Sequence, residues 1–98
     1  MTIEYKNRDI EKTCTKASYA EKNYGFKMAE KIQMRIDQIQ AASSVEEMVQ
    51  YKVGRCHALK GNRKGQYAMD LVQPMRLVFE KKGSTVQIAV IQEIVDYH

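Results

Sequence analysis

The apolar residues of this chain change their period near residue 56. Before it, Met28, Ile32, Ile36 and Ile39 recur every three or four positions, the spacing of one helix face. After it, Tyr67, Met69 and Leu71, then Met75, Leu77 and Phe79, recur at every second position, the spacing of one strand face. A single switch of this kind predicts helices first and strands second. The expected architecture is therefore α+β, with N-terminal helices packed on one face of a small antiparallel meander sheet and the other face left open. The 98 residues suit a single domain over 1–98 with one modest core.

Local signals place the elements. After a short start in which Ile3 and Tyr5 alternate with polar neighbours, Ile10, Cys14, Ala17 and Ala20 predict one helix over 7–25, ended by Gly25. A second helix follows over 26–42. Ser44 with Glu47 three residues later forms a capping-box pattern that starts a short third helix, ending before Gly54. Strands are expected over 56–60, 66–71, 75–81 and 85–97, with "GNRKG" and "KKGS" as turns and Pro74 in the connection before Met75. Met28, Met34, Met48, Met69 and Met75 are expected to fill the core. Parity then separates the faces: if Met75, Leu77 and Phe79 meet the helices, Arg76 stands on the side away from them.

Composition narrows the function classes. No stretch approaches the ~20 apolar residues of a membrane span, and the start "MTIEYKNRDIEK" has no apolar core of a secretory signal, so a cytoplasmic protein without membrane attachment is expected. Cys14 and Cys56 lie in different segments without C-x-x-C spacing and are read as reduced packing thiols. Neither a cofactor motif nor a specific metal-ligand spacing is present; Cys56, His57, Asp96 and His98 do not form a recognised one. Lys and Arg exceed Asp and Glu by 16 to 12, giving +4. The run "KVGRCHALKGNRK" carries Lys52, Arg55, Lys60, Arg63 and Lys64 with no acidic residue, a local positive field suited to a polyanion.

The segment "HALKGNRKGQYAMDLVQPMRLVFEKKG", followed by "EIVDYH", resembles the RelE/HigB superfamily of type II toxin–antitoxin toxins, and its HigB branch most closely. The pattern is a His before L-K-G, a short basic turn, a strand with an aromatic near its start, an R-hydrophobic-x-F strand and a D-Y-H end. It covers about the last half of the chain. The resemblance implies a ribosome-dependent messenger-RNA endonuclease, neutralised by a helix-turn-helix, HigA-like antitoxin, with DNA met only indirectly through that antitoxin. It also implies His57, Asp96, Tyr97 and His98 as catalytic residues, and Lys60 and Arg76 as basic contacts to RNA. Members of the branch often carry another Arg just after the "YAMDL" strand, where this chain has Val72 and Gln73. That role is then absent or falls to Arg55 or Arg63, with Lys64 in the same basic run.

The chemistry of such a site can be stated without the family. RNA brings its own nucleophile, the 2′-hydroxyl, so cleavage needs a base for that proton, cations for the charge on phosphorus and an acid for the leaving 5′-oxygen. His suits the acid or base role because its unperturbed pKa is ~6.5. Tyr97 serves only if cations lower its pKa from ~10. Asp96 more naturally orients a His or Arg, and the division of acid and base among His57, Tyr97 and His98 stays open. Taken singly, each residue has a plainer reading: His57 as a structural histidine, His98 as an end residue, Lys60-Gly61 as a turn with a solvated charge. Two other function classes remain: a ParE-like inhibitor that binds DNA gyrase without RNA chemistry, against which Lys60, Arg76 and the Asp96-Tyr97-His98 end argue because binding alone does not need them, and an RNA- or partner-binding module, including a toxin that has lost activity.

Overall fold

In the computed structural model, which describes residues 1–96, the chain runs β1 (Thr2–Tyr5), α1 (Arg8–Thr15), α2 (Ala17–Tyr24), α3 (Phe26–Ala41), α4 (Val45–Gln50), β2 (His57–Ala58), β3 (Gln66–Asp70), β4 (Met75–Lys82) and β5 (Ile88–Asp96). The helices precede the main strands, as the change of period requires. One sheet forms in the order β1-β5-β4-β3-β2.

From β2 to β5 each strand runs antiparallel to the one before it. The sheet is not wholly antiparallel, however. Thr2 to Tyr5 pair in parallel with Ile88 to Ile91, because residues 2–5 share the period of two and the helices between supply the crossover that a parallel pair needs. The last strand thereby becomes an interior one. Hydrogen-bonded on both sides, it holds Ala89 and Ile91 at 0% exposure.

The first helix also departs from expectation. Instead of one helix over 7–25 there are two, broken at Lys16, which is extended (φ −123°, ψ 103°). Thr13 and Thr15 explain the weakness: their hydroxyls donate back to the carbonyls of Asp9 at 2.9 Å and Glu11 at 2.7 Å, a local bond that loosens a helix. Asn7 caps the first half by accepting from the Ile10 N–H at 2.9 Å. Gly25, at φ +87°, ends the second.

All four helices among the described residues feed one core. Ile10 and Cys14 of α1, Ala20 of α2, the stripe Met28, Ile32, Ile36 and Ile39 of α3, and Val45 and Met48 of α4 pack on Met69, Leu71, Leu77, Phe79, Ala89 and Ile91. Tyr67 stacks on its cross-strand partner Phe79 with ring centroids 5.6 Å apart. Burial drives the thiols of Cys14 and Cys56 up, to about 12 and about 11, so both stay protonated packing groups. Met34 is no core filler: it lies off the α3 stripe and is 43% exposed.

Ser44 caps α4 by accepting from Glu47 N–H at 3.0 Å, while Glu47 reaches back to the N–H of Ser43 at 3.2 Å. That helix is pinned to the sheet by Gln87, which accepts from Val45 N–H, and by Glu46, which accepts from Lys81 and Gln87, both at 2.7 Å. Gly83, at φ +81°, makes the β4–β5 turn possible; a Cβ there would fall 2.1 Å from the Val86 carbonyl. Pro74 follows a cis peptide bond in the β3–β4 connection. Among the described residues no helix is long and apolar enough to cross a membrane.

Candidate functional site

Residues directly opposite in a sheet share a face, so the register orders the side that carries no helix. One row runs His57, Ala68, Val78, Glu93 from β2 to β5, and the next runs Asp70, Arg76, Val95. Leu77 and Phe79 sit in the helix-side core, so Arg76 stands on the far side, as parity predicts. His57 is exposed at the sheet edge, two strands and two residues from Arg76. By strand geometry that diagonal is about 12 Å between Cα atoms, within reach of two side chains that share one phosphodiester.

Arg55 joins these rows through its backbone. It adopts φ +56° beside Lys52 at φ +54° and Gly54 at φ +58°, a left-handed conformation that costs roughly 1 kcal/mol or more for a residue with a Cβ. In that conformation its carbonyl lies 2.9 Å from His57 Nδ1. A carbonyl only accepts, so Nδ1 is the donor in this contact, which makes Nε2 the nitrogen that can accept a proton whenever the ring is neutral. Val49, Lys52, Arg55, Cys56 and His57 line a shallow cavity there.

The Arg55 side chain turns to Asp70. Its Nε lies 3.3 Å from Asp70 Oδ2, and Arg76 Nε lies 3.2 Å from Oδ1, so one carboxylate, its side chain 10% exposed, sits between two guanidinium groups. A third arginine closes the cluster from behind: Arg35 of α3, itself buried, donates from Nε to the Asp70 main-chain carbonyl at 2.6 Å and from Nη1 to Gln38 Oε1 at 2.9 Å. Burial pushes the Arg35 pKa down, and the Asp70 charge partly restores it. Gly54 is required for this approach, since a Cβ there would lie 2.7 Å from Arg35 Nε and 2.8 Å from Cζ.

Neither Asp70 nor Arg35 was singled out from the sequence. For Arg35 a signal existed, because it lies seven residues after Met28 and three after Ile32, on the flank of the apolar stripe.

The remaining candidate residues are distributed unevenly. Lys60 and Lys64 are exposed in the β2–β3 turn. Arg63, from the same turn, extends across β3 and β4 to Glu93 Oε2 at 2.7 Å and to Gln66 Oε1 at 3.2 Å. This side is therefore not left open, as helices packed on one face alone had suggested: the turn covers its centre, and Ala68 and Val78 are both 0% exposed. Asp96 ends β5 opposite Met75 and is exposed; by that register it falls on the helix side of the sheet, one residue past Val95, the partner of Arg76 on the other side. It is not brought beside His57, because β3 and β4 lie between their strands, about 14 Å across. Tyr97 and His98 lie outside the described residues.

A bulge decides where that end points. Val78 pairs with Glu93 but Phe79 with Ile91, leaving Gln92 as an extra residue in β5. Without it, strict alternation from Ala89 and Ile91 would send Glu93 toward the helices and Ile94 away. With it, Ile94 packs on the core and Glu93 meets Arg63. Adjacent polar residues, Gln92 and Glu93, in an otherwise apolar strand were the sequence signal for it.

A larger cavity lies elsewhere. It holds about 650 Å³ between α2 and α3, and its charged lining is Glu21, Glu30 and Asp37, which does not suit a phosphate. Among the described residues no three His, Cys, Asp or Glu side chains gather as a cation site.

No family model matches the chain, and no curated protein matches it. Among solved structures it is similar to a YoeB/ParE toxin from Agrobacterium tumefaciens, with a TM-score of 0.67 over 100% of both chains at 16% identity. This protein has the RelE/ParE-like toxin fold. At that identity the likeness is one of architecture.

Proposed function

We propose that this protein is the toxin of a type II toxin–antitoxin pair and an endoribonuclease of the HigB type, acting in the cytoplasm on messenger RNA held by the ribosome. Its resting partner is a helix-turn-helix, HigA-like antitoxin. The observation that carries the reading is the shared side of the sheet: His57, with Nδ1 donating to a carbonyl and Nε2 left to accept a proton, stands with Arg55 and Arg76 where the chain offers cations and an acid–base group together.

In the proposed reaction a base removes the 2′-hydroxyl proton, O2′ bonds to phosphorus, the bond to O5′ breaks, and an acid returns a proton to O5′. The products are a 2′,3′-cyclic phosphate and a 5′-hydroxyl. RNA supplies the nucleophile, so no metal is needed to generate one. Arg55, Arg76, Lys60, Arg63 and Lys64 supply positive charge for the phosphate and the flanking strand, Arg with the fork that fits two phosphate oxygens. His57 takes one proton-transfer role. Tyr97 and His98, which follow β5, supply the other, and Asp96 orients one of them.

The test is made in cells without antitoxin: wild-type and His98→Ala chains are induced, growth is followed, and new 5′ ends are mapped on translated messages. Growth arrest with new in-frame cuts, lost in a folded and abundant variant, is the expected result. Equal arrest by both chains with no new ends overturns the nuclease reading in favour of a binding inhibitor such as one of gyrase.

A further inference from the structure

Three arginines surround Asp70, and only one of them has an evident structural task. Arg35 is buried, packs under Gly54 and satisfies a main-chain carbonyl. Arg55 and Arg76 instead pair with the carboxylate, their Nε atoms lying 3.3 Å and 3.2 Å from its oxygens. Each keeps both Nη groups, four N–H donors, without a partner among the described residues. The Arg55 side chain is 77% exposed.

The contact with Arg76 is imperfect in an informative way. Asp70 Oδ1 and Arg76 Nε lie 3.2 Å apart, yet both are buried atoms without a hydrogen bond. The charges attract but the N–H is not aligned with the oxygen. Buried polar atoms in native proteins are rarely left so, and the exceptions are explained by strain, a catalytic role or a bound water or ion. A helix-capping or core role for Asp70 would call for aligned bonds instead.

We propose that Asp70 is a positioning residue for the substrate phosphate: its buried negative charge, beside the Nε groups of Arg55 and Arg76, keeps the two guanidinium groups together with their outer forks turned to one phosphodiester. The substrate class rests on the nuclease reading above; the clamp itself does not. Two guanidinium groups side by side repel each other, and the shared anion offsets that repulsion. The cost is partial cancellation of the positive field that attracts RNA. Asp70 therefore trades affinity for orientation, which a merely structural residue would not do.

That trade gives the test. The probe is a short 2′-O-methylated oligoribonucleotide, which lacks the attacking hydroxyl and cannot be cut. In the wild-type protein, the Arg55 and Arg76 Nε–H signals in 15N NMR shift together as it is added. Asp70→Asn, which keeps the shape and removes the charge, binds the oligonucleotide about fivefold more tightly. The same variant cuts ribosome-held message about 100-fold more slowly, the scale of a misplaced reacting group. Asp70→Glu, with the charge restored but displaced, returns binding to the wild-type level.

Binding and cleavage that fall together with the folded fraction overturn the proposal. So does a wild-type titration in which neither or only one arginine signal moves, a measurement that needs no variant to fold. If the paired shifts and the tighter Asp70→Asn binding occur but wild-type protein cuts no message, the nuclease reading fails and the clamp stands. If wild-type protein cuts and Asp70→Asn cuts equally well, the clamp fails and the nuclease reading stands.

Discussion

On the helix side of β3 and β4, Met69, Leu77 and Phe79 are fully buried among Ile32, Ile39 and Met48. On the other side, Ala68 and Val78 are just as fully buried, yet around them in the register stand His57, Asp70, Arg76 and Glu93. The same dryness is reached by different means. Apolar volume excludes water on one side, where removing it leaves a cavity. On the other, small apolar residues lie beneath ion pairs, and charged partners can be exchanged for a ligand's charges while aliphatic ones cannot. Stability and activity are thus expected to separate by face.

The sharpest way to break that comparison is a matched pair of truncations. Phe79→Ala should cost about 3–5 kcal/mol and Val78→Ala, one residue away on the opposite face, about 1.5–3 kcal/mol, both read by urea unfolding. Equal costs would mean that the second face is a core like the first. Next in size is Gly54→Ala, where the added Cβ collides with Arg35 at a positive φ. A loss of about 1–3 kcal/mol in the same assay is expected, and a neutral result would remove the strained turn from the account of how Arg55 is placed.

Arg63→Ala opens the bridge to Glu93, whose two side chains are 33% and 41% exposed. The stability change should stay below about 1 kcal/mol, while amide hydrogen exchange at Ala68 and Val78 quickens. Unchanged exchange would show that the basic turn does not cover that row.

The smallest effect concerns Glu46. Hydrogen bonds from Lys81 and Gln87 hold its carboxyl down at about 2. A depressed acid contributes stability that is present above its ordinary range near 4.5 and lost as pH falls through about 2. Glu46→Gln should therefore lower stability slightly at neutral pH, leave it unchanged below about pH 2, and flatten the acid limb between the two. A shift at pH 7 larger than that of Arg63→Ala would overturn the ranking.

Much of the fold was legible because period is a local property. The α3 stripe, the switch to alternation and the Ser44 cap each depend on residues within a turn or two of one another, and each is found where the sequence put it. The break at Lys16 was harder, since the spacing of Ile10, Cys14, Ala17 and Ala20 stays helical while two threonine hydroxyls undermine the backbone. At the site, the placement of Arg76 away from the helices followed from parity. The partnership of Arg76 with Asp70 did not, because nothing local says which residue of β3 lies opposite it.

By itself the sequence determined the helices α3 and α4, the alternating strands β3 to β5, most of the apolar residues that are buried, and the concentration of positive charge between residues 52 and 64. Those follow from backbone periodicity and charge count, which need no knowledge of neighbours in space. Only the tertiary structure decided that β1 pairs in parallel with β5, that one extra residue at Gln92 turns Glu93 to Arg63, and that Arg35, Arg55 and Arg76 converge on Asp70. Register and long-range charge pairing are set by whole elements meeting across the fold, and a one-residue change in either reassigns every side chain to the opposite face.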